Sequence, residues 1–311
     1  MVKKFYPVII AVYAVFAAVL ITAAIVPKID LDVSNGLLNT FGSKFSYSLG
    51  NFFEIWAEPV TLIPGAFVMA MGTSMFLRKK TKRDTVFGIV AFAGGFACAY
   101  QTIYRTVKYY AKLEDASEAW LFVKKPILTD HISVKLVCIA AGIAVTALFV
   151  LIANKMKFET LAKMEKVFIF VFCSYLCALI TISVLKNIWG RMRFREYLDA
   201  LNSETGGREA IFTAWFLPQG KPISDAYKSF PSGHTSNAMQ ILPMTFIFDA
   251  VGKEKTGKIL RVCFAVWIAF IMLTRILAGA HYLSDVCGGA MISFTVMIVS
   301  AAVIFKNREK T

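Results

Sequence analysis

Eight long apolar runs constrain this chain more than any other feature. They cover residues 5–26, 60–77, 86–104, 135–153, 167–185, 235–251, 259–277 and 286–305, each near the length of a membrane crossing. In hydrocarbon the backbone must satisfy its own hydrogen bonds, so each run reads as a helix. The first run is too long for a signal-peptide core and lacks a convincing small-residue cleavage site, so it too counts as a helix. At 57% hydrophobic and 17% charged residues, the chain does not have a soluble composition. The expected fold is all-α: a multi-pass transmembrane bundle of about eight helices.

A net charge of +14 raises the question of nucleic acid. The position of the charges answers it. With the N-terminus in the cytoplasm and eight crossings, the cytoplasmic segments gather basic residues such as Arg78-Lys79-Lys80, Lys82-Arg83, Lys155, Lys157, Lys253, Lys255 and Lys258, with few carboxylates. The other side is nearly balanced. This is the pattern of the positive-inside rule, so the excess charge is a topology signal and no nucleic-acid partner is expected. Both termini are then cytoplasmic and the alternate loops extracytoplasmic. The spans carry almost no ionisable residues, which counts against a transporter or proton pump.

The six cysteines fall within or at the ends of apolar runs, with neither disulfide framework nor zinc spacing. Residues 27–59 read as a first outer loop ending in an aromatic interface anchor. Gly94-Gly95 would let a neighbouring helix approach closely. His131 reads as a solvated loop histidine.

The chemistry sits in three stretches that the crossing count puts on one side. The first is Lys186-Asn-Ile-Trp-Gly-Arg-Met-Arg193, at the end of the fifth run. The second is Pro231-Ser-Gly-His234, a helix start whose free N–H groups and hydroxyl attract an anion. The third is Thr274-Arg275 followed by His281 and Asp285. His281 and Asp285 are four apart, so on a helical turn they share a face. The carboxylate can accept the proton of one imidazole nitrogen and leave the other free to attack. Lys186, Arg193 and Arg275 supply donors for a phosphoryl group, and Ser232 and the Gly233 N–H add more. His234, protonated, can donate to a leaving oxygen. These parts amount to a metal-free phosphoryl-transfer site with a phosphohistidine intermediate and no cofactor. Headgroup anchoring explains the arginines but not the placing of the histidines.

In this order the three stretches resemble the signature of the type-2 phosphatidic acid phosphatase superfamily, which also holds vanadium haloperoxidases and bacterial acid phosphatases. That signature runs Lys-x6-Arg-Pro, Pro-Ser-Gly-His, then Ser-Arg-x5-His-x3-Asp. Here Phe194 stands for the proline and Thr274 for the serine, and no phosphate donor is lost. The resemblance implies His281 as nucleophile, Asp285 as its orienting partner and His234 as general acid. It implies Lys186, Arg193, Ser232, Gly233 and Arg275 as phosphate ligands. It also implies a six-helix phosphatase core over residues 84–311, with residues 1–83 adding two helices and an outer loop.

The expected activity is hydrolysis of a lipid phosphomonoester or diphosphate in the membrane. Undecaprenyl diphosphate and phosphatidylglycerol phosphate are the familiar substrates of bacterial membrane relatives. A lipid phosphotransferase using the same site is an alternative, as is a non-catalytic lipid-binding protein. Arg191 and Arg195 serve either a second phosphate or lipid headgroups. Trp189, Trp215, Phe216, Gln219 and Lys221 serve either headgroup choice or structure.

Overall fold

The computed structural model describes residues 6–115, 132–203 and 211–306, all helix and connecting loop with no strand among them. His131 and Trp120 lie outside the described residues. The helices are α1 (Tyr6–Ile25), α2 (Ile29–Phe41), α3 (Ser43–Arg78), α4 (Lys82–Asp115), α5 (Ile132–Asn154), α6 (Phe158–Lys163), α7 (Glu165–Trp189), α8 (Phe194–Leu201), α9 (Gly233–Met239), α10 (Ile241–Met244), α11 (Phe246–Ala250), α12 (Glu254–Leu277) and α13 (Leu283–Ile304). Six described segments are long and apolar enough to cross a membrane: Ser43–Arg78, Lys82–Lys108, Ile132–Asn154, Glu165–Leu201, Glu254–Leu277 and Leu283–Ile304. The pair α1 and α2, bent by 103°, makes a seventh if it is one span. The chain is a multi-pass helical protein.

Two local features differ from the sequence expectation. The run 235–251 is three short helices broken at Gln240 and Thr245. Pro243 has no N–H to give to the preceding turn and its ring crowds the carbonyl four residues back. The backbone answers with tighter bonds, Thr245 N–H to Leu242 O at 3.1 Å and Phe248 N–H to Thr245 O at 3.2 Å. The second difference is residues 27–59, expected as a loop. They form α2 and the opening turns of α3. Pro27 ends α1, the Ile29 N–H bonds back to Val26 O at 3.0 Å, and the chain turns into α2. A hydropathy count misses this segment because its polar residues are interleaved with Phe, Leu and Ile.

The chain forms two compact units, each interleaved along the sequence. One comprises residues 54–173 and 240–264. In it α4 and α5 pack closely: a Cβ on Gly142 would lie 3.2 Å from the Tyr100 backbone, and one on Gly95 would lie 3.3 Å from Thr146 Cγ2. Small residues at these points let the backbones approach. The opposite face of α5 presents Leu136, Val137, Ile143, Leu148 and Leu151 outward, as a lipid-facing helix would. Buried Glu58 pairs with Arg105, and Asp249 accepts both terminal nitrogens of Arg261 at 3.0 and 3.1 Å.

The other unit comprises residues 1–53, 174–239 and 265–311. Its hub is α13, against which α1, α2 and α9 pack. Leu20, Ile276, Val286 and Cys287 form a buried cluster there, extended by Phe16, Leu37 and Trp215. Ser236 and Ser293 join α9 to α13 through a 2.6 Å hydroxyl contact. All three motifs belong to this unit.

Candidate active site

The N-terminal end of α13 carries the site. Asp285 is its third residue, and Asp285 Oδ2 accepts the Tyr282 N–H at 2.8 Å. This is the acidic half of a capping box, satisfying a donor that the helix leaves open. The same oxygen accepts Ser229 Oγ at 2.5 Å, and Oδ1 accepts Arg191 Nη1 at 2.5 Å. Asp285 has no exposed surface, so these donors stand in for water.

His281 lies two residues before α13 begins and is 3% exposed. Its Nδ1 stands 3.8 Å from Asp285 Oδ2, an electrostatic contact too long for a hydrogen bond. The four-residue spacing does bring the pair together. The expected imidazole–carboxylate hydrogen bond is not formed, because the carboxylate is held by Arg191, Ser229 and the Tyr282 N–H, and Nδ1 has no hydrogen-bond partner.

Burial pushes the His281 pKa down from 6.5 to about 3. Asp285 opposes the shift, while the charges of Lys186 and Arg193 add to it. The imidazole is therefore neutral at ordinary pH, the form that a nitrogen nucleophile requires. Between pH 6.5 and about 3 the unfolded chain binds a proton at this position and the folded chain does not. Stability is then full above pH 6.5 and declines as pH falls through that window. Thermal unfolding in detergent at pH 7.5 and 4.5 should show this loss, and the difference should shrink in His281→Gln.

Arg191 is the most heavily bonded side chain of the site and is 1% exposed. Its Nε donates to Thr213 O at 2.9 Å, Nη1 to Ser284 Oγ at 2.8 Å as well as to Asp285, and Nη2 to Asp30 Oδ2 at 2.9 Å. Its guanidinium lies 4.3 Å from the centre of the Tyr282 ring. Burial pushes the Tyr282 hydroxyl pKa up. Both readings of Arg191, a second phosphate or lipid headgroups, are therefore corrected: its donors are already committed between two buried carboxylates. Arg195 remains partly exposed, with Nε 3.3 Å from Glu196 Oε1.

Lys186 sits in the last turn of α7, and its Nζ donates to Lys228 O at 2.8 Å. A Cβ placed on Gly233 would lie 3.3 Å from Lys186 Cε, so the first and second motifs touch. Arg193 precedes α8, and its Nη2 meets the exposed carboxylate of Asp225 at 2.9 Å. Ser232 is buried. Its N–H donates to Asp285 O at 3.0 Å, and its Oγ accepts Thr235 Oγ1 at 3.0 Å. His234 is half-buried in the first turn of α9. Arg275, in the last turn of α12, is fully buried and donates from Nη2 to Gly50 O.

The second motif rests on α13 through Gly289, where a Cβ would stand 2.4 Å from Ser232 O. No larger residue fits without moving the motif backbone. The Trp189 and Trp215 indoles donate to Trp215 O at 2.5 Å and Leu20 O at 3.0 Å, and both rings pack on Phe230, so they brace the loop. Gln219 and Lys221 line a cavity of about 200 Å³ with Thr213, Ile223 and Tyr227.

Sequence reasoning missed Asp30, Thr213, Ser229 and Ser284. Ser284 adjoins a motif residue, and Ser229 lies two residues before Pro231. Nothing local marks Asp30 or Thr213, which reach the site only by folding. Among the described residues no group of three or more His, Cys, Asp or Glu side chains is placed to hold a metal ion.

Comparison with known proteins gives one positive result: residues 166–309 match the sequence model described as the PAP2 superfamily. No curated protein and no solved structure matched. The matched stretch contains all three motifs, covers a little under half of this multi-pass helical protein, and is similar to a superfamily whose members are usually phosphatases.

Proposed function

We propose that the chain is a membrane lipid phosphatase that hydrolyses a phosphomonoester or diphosphate through a phosphohistidine. One observation carries this reading: His281, neutral and buried, stands beside a fully bonded Asp285, under the field of Lys186 and Arg193. In the first step the free imidazole nitrogen attacks phosphorus. An N–P bond forms and the P–O bond to the lipid breaks. Protonated His234 supplies the proton to the leaving oxygen. In the second step water attacks phosphorus, the N–P bond breaks, and His234 takes the proton of the water. Lys186, Arg193, Arg275, Ser232 and the Gly233 N–H stabilise the charge on the phosphoryl oxygens. The site faces the extracytoplasmic side, both termini are cytoplasmic, and residues 84–311 make the phosphatase core.

The test is phosphate release by detergent-purified protein with chelator present. The panel holds undecaprenyl diphosphate, phosphatidylglycerol phosphate and phosphatidic acid. Chelator-resistant release from one of them is the expected result. Silence on all three from folded protein would overturn the lipid-phosphatase reading. Diversion of the phosphoryl group to an added alcohol would instead indicate a phosphotransferase.

A further inference from the structure

We propose that Asp30 is a positioning residue for the phosphoryl-transfer centre, acting on Asp285 through Arg191 and Ser284. The proposal rests on the lipid-phosphatase reading. It gives the N-terminal helices a part in the chemistry, although Asp30 lies far outside the stretch that matches the superfamily.

Asp30 is the second residue of α2, where a carboxylate suits a helix start, yet it is only 1% exposed. A carboxylate that could have faced water is instead buried and fully used. Its Oδ1 accepts the Ser284 N–H at 2.9 Å, one of the open donors of α13. Its Oδ2 accepts Ser284 Oγ at 2.6 Å and Arg191 Nη2 at 2.9 Å. Arg191 Nη1 in turn bonds both Ser284 Oγ and Asp285 Oδ1. The result is a closed ring of Asp30, Ser284 and Arg191, with Asp285 attached to it and His281 beside Asp285.

Two consequences follow from this geometry. Thr213 O holds Nε of Arg191 and Asp285 holds Nη1, which leaves Nη2 as the one arm of the fork without a partner until Asp30 takes it. Asp30 thereby completes the set and draws the guanidinium towards α2 against the pull of Asp285. Asp30 also pins the backbone at Ser284, next to Asp285, so both ends of the Asp285 environment refer to α2. A displacement of a few tenths of an ångström in such a shell is expected to lower the rate rather than substrate affinity, because Asp30 touches no phosphate ligand.

The experiment measures kcat and KM for phosphate release in detergent micelles from whichever of undecaprenyl diphosphate, phosphatidylglycerol phosphate and phosphatidic acid the wild type hydrolyses, for wild type, Asp30→Asn, Asp285→Asn and the double variant. Detergent gel filtration and thermal unfolding report folding. The expected result for Asp30→Asn is a fall in kcat of roughly 10- to 100-fold with KM changed less than about threefold, the range for lost supporting contacts. In the Asp285→Asn background the same change should cost less than about threefold, because the group it positions is already altered. An unchanged kcat in folded Asp30→Asn, or full additivity in the double variant, overturns the proposal. If Asp30→Asn does not fold, Ser284→Ala replaces it. That variant removes only the bridging hydroxyl and should reduce kcat at constant KM; an unchanged kcat overturns the proposal. Wild type silent on every lipid removes the phosphatase reading and this proposal with it, whereas an active wild type with an indifferent Asp30→Asn removes this proposal alone.

Discussion

Arg191→Met should destabilise the protein by about 3–5 kcal/mol, because it leaves two buried carboxylates without their shared cation. Asp30 and Asp285 are each almost fully buried and both bond to Arg191. The methionine fills similar volume, so the loss is electrostatic and not a cavity effect. Arg191→Lys should also be costly, since one ammonium cannot reach Asp30, Asp285, Ser284 Oγ and Thr213 O in the geometry of a planar fork. The checks are the yield of monodisperse protein and the thermal midpoint in detergent. A methionine variant that melts with wild type would mean that the carboxylates find other partners. Had Arg191 been a ligand for a second phosphate, its loss would spare stability and affect diphosphates alone.

His281→Ala should bring phosphate release to background, a loss of roughly 10⁴-fold or more, as expected when a covalent nucleophile is removed. The buried imidazole makes no hydrogen bond from Nδ1, so the protein should stay folded. His234→Ala is the informative companion. If His234 protonates the leaving oxygen, its loss should cost roughly 10²- to 10⁴-fold on a lipid phosphate. The cost should be much less on an aryl phosphate, whose leaving group departs without a proton. Acid-labile phosphoenzyme should form in His234→Ala with the aryl ester and never in His281→Ala. Equal losses on both substrates would sink the assignment of His234 as general acid. Residual turnover in His281→Ala would sink His281 as nucleophile.

The distribution of apolar residues was enough to specify an all-helical membrane chain. Hydrocarbon leaves the backbone no other partner, so run length alone reports the element. The three motifs were equally legible, because each depends on short spacings: Ser232 with Gly233 and His234, and His281 with Asp285. The α2 segment was not legible, since its polarity hides a helix from any count of apolar length. Nor was the break in the run 235–251, where Pro243 interrupts a stretch whose apolar residues continue on both sides of it.

The tertiary structure alone decided the environment of Asp285. From sequence, a histidine four residues before an aspartate reads as a hydrogen-bonded pair. Folding instead brings Arg191 and Ser229 to the carboxylate and leaves the imidazole at 3.8 Å. It also joins Asp30 to Ser284 across 254 residues of chain. Spacing rules reach about one helical turn. Contacts this distant exist only because α2, the α7–α8 junction and α13 pack together in one compact unit and bury charges that must then find one another.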